Sequence, residues 1–283
     1  MFATADMSTI SLQNDPPLTS IIVLFRALNT HRIRYCHWKS NCHLDRSIRG
    51  LTDLDLLVDP SQEHQFRSIL HQHNIKPVKA PRSMQYPAIE DYLGFDPETG
   101  RLFHLHVHYR LILGERYVKN YCLPLEKAFL DNVQVDQQVV KIPIPELELA
   151  ILAIRALFKY RDRDAIKDAL SIRSPGLSPG LLQEFQYLLD QIDWARLSEI
   201  LHAYFGFVSP KIISELIEIV LKAPRSGLAL YRLRGRLRRE LREYQRCTRF
   251  QAICKYWEIY LGLSLPILRR SYPKKTPATG GQI

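Results

Sequence analysis

The sequence predicts an α+β protein in which a small mixed sheet with flanking helices is followed by an all-α helical region. Up to about residue 143, apolar runs of strand length alternate with helical stripes, as expected for a mixed sheet covered by helices. Beyond Pro145 the apolar residues recur at helical spacing. The chain has 283 residues, 46% of them hydrophobic, which is enough to bury a sizeable core.

These changes of pattern divide the chain into four parts. Residues 1–17 are predicted to be a flexible leader, because they are mostly polar and show no periodicity. An α/β domain over 18–143 and a helical domain over 144–265 follow. Residues 266–283 begin with Pro266 and are rich in Pro, Gly and Lys, which predicts a linker.

Elements of the first part are predicted from periodicity and from turn-forming residues. Helices and strands alternate as helix 18–29, strand 34–38, helix 43–48, strand 52–58, helix 60–73 and strand 75–79. Two hairpins follow, at 91–109 and 133–142. The first turns at Asp96-Pro97-Glu98-Thr99-Gly100, where Pro and Gly favour a turn.

The second part is predicted to contain five helices separated by Pro and Gly. They span 146–160, 179–190, 193–205, 209–222 and 226–261. The last is rich in arginine, and six arginines recur at helical spacing opposite a leucine stripe (Arg232, Arg236, Arg239, Arg242, Arg246 and Arg249). A basic stripe of this kind can bind nucleic acid, but a solvated face of a packed helix is the favoured interpretation.

Composition restricts the class of protein and its partners. The net charge of +10 and the pI of about 9.4 favour anionic partners. Five cysteines without a Cys-x-x-Cys pair argue against a disulfide framework or a zinc ribbon. No apolar run reaches the length of a membrane span, and no signal-peptide core is seen. We therefore expect a cytoplasmic protein with reduced thiols.

Two acids in the predicted strand 52–58 are the main candidates for a functional centre. Asp53 and Asp55 are two residues apart, so on a strand they point to the same face. Neighbouring carboxylates repel each other, and a divalent cation such as Mg²⁺ would relieve the repulsion. The alternative is that Asp53 caps a turn and Asp55 pairs with a Lys or Arg elsewhere in the chain.

The predicted strand 101–109 places His104, His106 and His108 on one face. Alternating histidines resemble the paired ligands of metal hydrolases, but a half-polar strand face lining the same cleft is the favoured interpretation. Cys36-His37 and Cys42-His43 lack zinc-finger spacing. Trp38 could stack on a base or be a buried strand aromatic.

Taken together, the Lys39-Ser40-Asn41 turn, the short helix after it and Thr52-Asp53-Leu54-Asp55 resemble the nucleotidyltransferase superfamily typified by DNA polymerase beta. The resemblance implies a nucleotidyltransferase-type sheet. It implies that Lys39, Ser40 and Asn41 hold the triphosphate of an NTP substrate, and that Asp53 and Asp55 bind Mg²⁺ in a site of the two-metal type.

The superfamily places a third carboxylate on a later strand, and this sequence has His106 at the equivalent position. His106 could serve as a metal ligand or as a base, with His108 beside it as a further ligand. Asp91 or Asp96 on the neighbouring strand could replace the missing acid. Arg110 is expected to contact phosphate, as are Lys119 and Arg116 more weakly.

A closer resemblance covers essentially the whole chain. His37-Trp38-Lys39-Ser40-Asn41, the run 52–58, the run 91–96 and the run 104–111 are similar to the N-terminal region of bacterial thymidylate kinase-like proteins. In those proteins a P-loop kinase domain follows, so the resemblance implies a C-terminal kinase partner. No Gly-x-x-x-x-Gly-Lys-Ser/Thr motif occurs in these residues.

Three hypotheses follow from the sequence. The first is a metal-dependent nucleotidyltransferase that moves NMP from an NTP to an unknown acceptor. The second is a catalytically impaired nucleotide-binding or regulatory module attached to a kinase domain. The third, a nucleic-acid binder acting through the arginine-rich helix, is not favoured.

Overall fold

The computed structural model describes residues 15–81, 84–115, 117–136, 139–160, 164, 176–222 and 226–264. Most of the predicted leader, the predicted linker and Arg116 lie outside the described residues. The predicted α+β class is confirmed, since a mixed sheet with flanking helices precedes a helical region.

The first part of the chain combines strands with short helices. Its elements are α1 (Thr19–Thr30), β1 (Tyr35–His37), α2 (Leu44–Ile48), β2 (Leu54–Val58), α3 (Glu63–Gln72), β3 (Lys76–Val78), β4 (Ile89–Asp96), β5 (Arg101–His108), β6 (Leu111–Leu113), β7 (Tyr121–Leu123), α4 (Glu126–Asp131), β8 (Val133–Asp136) and β9 (Val140–Pro143). Short 3₁₀ turns over Asn41–His43 and Pro60–Gln62 precede α2 and α3.

The later part is helical. It consists of α5 (Pro145–Lys159), α6 (Pro179–Leu189), α7 (Trp194–Tyr204), α8 (Pro210–Lys222), α9 (Gly227–Glu240) and α10 (Arg249–Ser264). Proline stands at the first position of α5, α6 and α8, where its fixed φ suits the helix and its missing N–H costs no hydrogen bond. Asp193 caps α7 by accepting hydrogen bonds from the backbone N–H groups of Ala195 and Arg196.

The central sheet has five strands in the order β1-β2-β5-β4-β3. β2 and β5 run parallel, and the other three pairings are antiparallel. A parallel pair needs a long crossover, and here α3, β3 and β4 lie between the two strands in sequence. Both predicted hairpins are confirmed, since β4 pairs with β5 and β8 pairs with β9.

One face of the sheet is apolar. Leu54, Leu56, Leu105 and Val107 are fully buried in a cluster with side chains of α1 and α3. Because side chains alternate along a strand, the residues between them point to the other face. That second face is polar around Asp55 and His106 and apolar at Leu57.

Leu57 belongs to a second and larger apolar cluster. It also contains Trp38 from the turn after β1, Phe129 from α4 and most of α5. The helix α5 is therefore buried on nearly all sides, as expected for a central helix of a core. Its contacts with the turn after β1 bring the helical region next to the polar face of the sheet.

Two sequence predictions about these elements are wrong. β2 begins at Leu54 and not at residue 52, because the chain leaves α2 through Gly50 at φ +70° and is still bent at Thr52. The predicted helix 226–261 is two helices, α9 and α10. The break follows from tertiary pairing, since Gln245 forms a β-bridge with Tyr121 and Arg246 N–H donates to the Asn120 carbonyl.

This break also divides the predicted arginine stripe. Arg246 and Arg249 are not on α9, and Arg246 donates to the Lys119 carbonyl oxygen at 3.0 Å. Arg236 is paired with Glu215. The favoured interpretation of a packed helix with a solvated face agrees with these contacts.

All five cysteines carry free thiols. Among the helices of the described residues, none is both long and apolar enough to cross a membrane. The predicted division between 18–143 and 144–265 stays a prediction.

Replacing Gly94 with Ala should lower the free energy of unfolding. Gly94 is paired with Phe103, and a Cβ at Gly94 would lie 2.1 Å from Cζ of that buried ring. Overpacking of this kind costs about 1–3 kcal/mol. Urea denaturation of Gly94→Ala measures the loss, and Gly180→Ala, whose added Cβ meets nothing within 4 Å, is the control. Equal stability of both variants would contradict the packing argument.

Candidate functional site

The register of the sheet assembles the candidate site. Asp55 of β2 is paired with His106 of β5, and His106 is paired with Asp91 of β4 on its other side. Directly paired residues point to the same face, so these three side chains meet on the polar face. His104 and His108 lie two residues away on β5 and share that face, as the sequence predicted.

Three of these residues form a candidate metal site. Ligand atoms of Asp55, His106 and His108 all lie within 4.8 Å of one another. Two imidazoles and one carboxylate are a donor set known from metalloproteins, and imidazole suits Zn²⁺ or Fe²⁺ better than Mg²⁺. The residues therefore fit a divalent metal in general, whereas a specific fit to Mg²⁺ is not shown.

The state of His108 supports this fit. Its side chain is 1% exposed, and both ring nitrogens are buried without a hydrogen-bond partner among the described residues. Burial, together with neighbouring His106, Lys39 and Lys119, lowers the pKa of His108 well below its ordinary value. A neutral imidazole with an unused nitrogen can coordinate a metal, and leaving it unpaired is otherwise costly.

Asp53 is not part of this group of ligand atoms. Because β2 begins at Leu54, Asp53 lies just before the strand, with 58% of its side chain exposed. Its Oδ1 lies 2.9 Å from His104 Nδ1. The structure thus places Asp55 next to His106 and His108, and Asp53 next to His104.

A chain of alternating carboxylates and imidazoles runs across the site. His104 Nε2 lies 3.1 Å from Asp91 Oδ1, and His106 Nδ1 lies 2.7 Å from the same oxygen. Although burial opposes ionisation of Asp91, the hydrogen bonds from His104 and His106 outweigh it and hold its pKa below the ordinary value. Burial alone would lower the pKa of His104. The hydrogen bonds from His104 to Asp53 and Asp91 outweigh burial and raise this pKa to about 9.

Asp91 also orients the ring of His106. An ionised carboxylate can only accept a hydrogen bond, so Nδ1 of His106 donates to Asp91. This arrangement leaves Nε2 as the atom that can bind a metal or accept a proton. A metal-ligating histidine commonly donates its other N–H to a carboxylate in this way.

Two lysines complete the polar face. Lys39 Nζ lies 2.8 Å from Asp55 Oδ1. Lys39 is therefore the basic partner that the alternative interpretation of Asp55 predicted. Burial raises the pKa of Asp55, but Lys39 and His106 outweigh this effect and lower it overall. Lys119 Nζ lies 3.1 Å from His106 Nε2. Burial and the charge of Lys39 lower the pKa of Lys119 to about 8.

The turn after β1 has an unusual backbone. Ser40 adopts a left-handed conformation with φ 59° and ψ 35°, which costs about 1–3 kcal/mol for a residue with a side chain. Its Oγ accepts a long hydrogen bond of 3.4 Å from Arg155 Nη2. Such strain is often stored at functional sites, so it supports Ser40 as a candidate binding residue.

Asn41 is buried and its polar atoms have partners inside the protein. Its backbone N–H and its Nδ2 donate to the two oxygens of Glu148 at 2.9 and 2.6 Å, and its Oδ1 lies 2.6 Å from His37 Nδ1. Asn41 therefore fixes the shape of the turn, and its predicted contact with a triphosphate stays a prediction.

Sequence reasoning missed two residues of α5 that contact this turn. Glu148 lies under Asn41, and burial raises the pKa of its carboxyl to about 7. Arg155, seven residues later on the same helix face, contacts Ser40 and lies 5.8 Å from the Trp38 ring centroid. The available signal was a charged residue within an otherwise apolar helix face.

Other candidates are placed as follows. Trp38 is 2% exposed and packs edge-on against His108, so it is a buried aromatic as the second interpretation predicted, but it lies just after β1 and not on it. Arg110 is largely exposed and lies 3.4 Å from Glu126. Asp96 is fully buried and accepts hydrogen bonds from Ser20 and Thr99, so it closes the hairpin, while Asp91 reaches the histidines.

Stability should depend on pH through His104. Its folded-state pKa of about 9 exceeds the ordinary value of 6.5, so its contribution is fully present below pH 6.5 and is lost as pH rises through 9. The difference in unfolding free energy between the wild type and His104→Gln, measured by urea denaturation, should be large near about pH 6 and small near about pH 9.5. The exposed residue His71 supplies the control His71→Gln, and a pH-independent difference for His104→Gln would contradict this assignment.

Comparisons with known proteins give little further information. No protein-family model matches the sequence, and no curated protein is significantly similar to it. Among solved structures, the polymerase core of TRAMP, an RNA surveillance complex, matches with 14% identity and a TM-score of 0.23. The match covers 81% of this chain and 58% of that chain, so this chain spans less than two thirds of its length. A likeness this weak carries no argument about fold or function.

Proposed function

We propose that this chain is a metal-dependent nucleotidyltransferase-like protein that transfers NMP from an NTP to an acceptor not yet known. The observation that carries the proposal is the β2–β5 register, which gathers Asp55, His106 and His108 beside Lys39 and Lys119 on one sheet face. Carboxylates and imidazoles suit a metal, and the ammonium groups suit phosphate oxygens.

In this proposal Asp55, His106 and His108 hold the metal, which would neutralise charge on the triphosphate. Asp53 is left to orient His104, whose ring it contacts. Lys39 and Ser40 bind phosphate oxygens. Lys39 must then move its ammonium from Asp55 to the substrate, a short movement for a flexible four-carbon side chain. Arg110, being largely exposed, is available for a phosphate contact at the rim.

His106 has a second role open to it. If the metal is held without His106, Nε2 can accept the proton of an acceptor hydroxyl while Asp91 stabilises the resulting imidazolium. The acceptor oxygen then forms a bond to the α-phosphorus as the bond from that phosphorus to pyrophosphate breaks. The two roles of His106 exclude each other because Nδ1 is engaged by Asp91.

A nucleotide-binding or regulatory module is the alternative, and two observations favour it. The position opposite Asp55 on β5 is His106, where the superfamily that the sequence resembles has an acid. Asp55 is also already paired with Lys39. In this alternative the nucleotide binds and is not converted, and the module serves a linked kinase domain.

Several finer expectations remain part of the proposal. Mg²⁺ as the metal, a site of the two-metal type, a C-terminal kinase domain and a cytoplasmic location are supported by the sequence patterns alone. The same holds for the division into domains at residue 143. Nucleic acid as a partner is not favoured, because the arginine stripe is divided between separate elements.

Replacing Asp55 with Asn should weaken binding of ATP in the presence of Mg²⁺ or Mn²⁺. The substitution keeps the shape but removes the charge that holds the metal, and hydrogen bonds to charged groups contribute about 1.5–3 kcal/mol, or at least about tenfold in Kd. Titration calorimetry measures the change. Asp190→Asn, at the exposed residue that follows α6, is the charge-matched control. Unchanged ATP binding by Asp55→Asn would contradict the assignment of Asp55.

Pyrophosphate release separates the enzyme from the module. The purified chain is incubated with labelled NTPs and a panel of hydroxyl-bearing acceptors, and free pyrophosphate is measured. Release that depends on the acceptor and is absent in Asp55→Asn supports the transferase. Tight NTP binding without release supports the module.

A further inference from the structure

Ammonium groups already contact two of the three candidate metal ligands. Lys39 Nζ lies 2.8 Å from Asp55 Oδ1, and Lys119 Nζ lies 3.1 Å from His106 Nε2. For His106 this is the nitrogen that a metal would use, because Nδ1 of His106 is engaged by Asp91, and for Asp55 it is one of the two carboxylate oxygens. A cation bound at this position would lie within a few ångströms of both positive charges, where repulsion is strong in a partly buried site.

Lys119 is held in this position by its surroundings. Its backbone has φ 45°, and Tyr117 two residues earlier has φ 69°, so this segment carries two residues in the left-handed region. The Lys119 carbonyl accepts a hydrogen bond from Arg246, and its ammonium lies 4.9 Å from the Tyr86 ring centroid. Strained backbone persists where the surrounding structure fixes it, and the Tyr86 ring lies beside the ammonium that contacts His106.

The contact with His106 is also chemically specific. An ammonium can only donate hydrogen bonds, and it donates here to a nitrogen lone pair. A metal needs that same lone pair. Lys119 and the metal therefore cannot use His106 at the same time, whichever divalent ion is bound.

We infer that Lys119 is a built-in competitor for the divalent metal, and that it sets the metal affinity of the Asp55/His106/His108 site. The metal enters fully when the ammonium of Lys119 leaves His106. An anionic ligand with several phosphate oxygens next to the site attracts the ammonium groups of Lys119 and Lys39 and so exposes both ligand atoms. Polyphosphate and metal then strengthen each other's binding, because coupling between two ligands is reciprocal.

The second half of this inference, the coupling to polyphosphate, rests on the proposed function. The first half, the competition at His106, does not require a nucleotide. The two halves can therefore fail separately, and the competition is tested on the chain without any phosphate ligand.

The test measures Mn²⁺ binding to the full chain by electron paramagnetic resonance, which counts the free ion directly. Lys119→Met removes the ammonium, and we expect the affinity for Mn²⁺ to rise by at least about tenfold. Lys255→Met is the matched control, because Lys255 lies 4.8 Å from the same Tyr86 ring and carries the same charge without contacting a ligand atom. Lys119→Gly is a second variant that suits φ 45° and guards against a folding defect in the first.

The Mn²⁺ affinities of these variants either support the inference or overturn it. Tighter Mn²⁺ binding by Lys119→Met and Lys119→Gly, but not by Lys255→Met, supports it, and His108→Ala should then remove the gain. Equally tighter Mn²⁺ binding by Lys255→Met would mean that the effect comes from net charge alone, and this would overturn the inference. Unchanged or weaker Mn²⁺ binding by both Lys119 variants would also overturn it. Adding inorganic tripolyphosphate should raise the Mn²⁺ affinity of the wild type and have a smaller effect on Lys119→Met. If tripolyphosphate has no effect while the variants behave as expected, the competition stands and the coupling fails.

Discussion

The parallel pairing of β2 with β5 is the constraint on which the site depends. Its register is set on the opposite face, where Leu54, Leu56, Leu105 and Val107 are fully buried. A slip of one residue would turn every side chain of a strand to the other face. It would place Asp55 or His106 in the apolar core and expose leucine or valine, each of which loses about 1.5–3 kcal/mol of burial. Apolar packing therefore fixes the position of the polar groups.

The polar face is unusual because its charges neutralise one another inside the protein. Asp53 and Asp91 contact His104, Asp91 contacts His106, and Lys39 contacts Asp55. Burying a carboxylate is costly unless it is paired and hydrogen-bonded, and these contacts meet that requirement without an ion. His108 is the exception, since both of its ring nitrogens lack a partner among the described residues. A ligand that binds here must therefore exchange one set of pairings for another.

Patterns that are local in sequence predicted much of this structure. The alternation of His104, His106 and His108 gave their common face, and apolar periodicity interrupted by Pro and Gly located α5, α6 and α8. Tertiary contacts account for what was missed. The long predicted helix breaks because Gln245 pairs with Tyr121, and no local signal at Gln245 reports that partner. Lys119 was only a weak candidate for the same reason, since its contact with His106 depends on a strained loop whose backbone no periodicity reveals.

The turn at Asn41 is held by Glu148, which lies 107 residues further along the chain. Closing a loop of this length has an entropic cost that the contact must offset. The strands of the sheet pair with one another, whereas the Lys39-Ser40-Asn41 turn relies on Glu148 of α5 for two hydrogen bonds at Asn41. The Lys39-Ser40-Asn41 turn therefore depends on the helical region, and a chain that ended before α5 would keep the sheet residues of the site but lose the carboxylate that holds the turn.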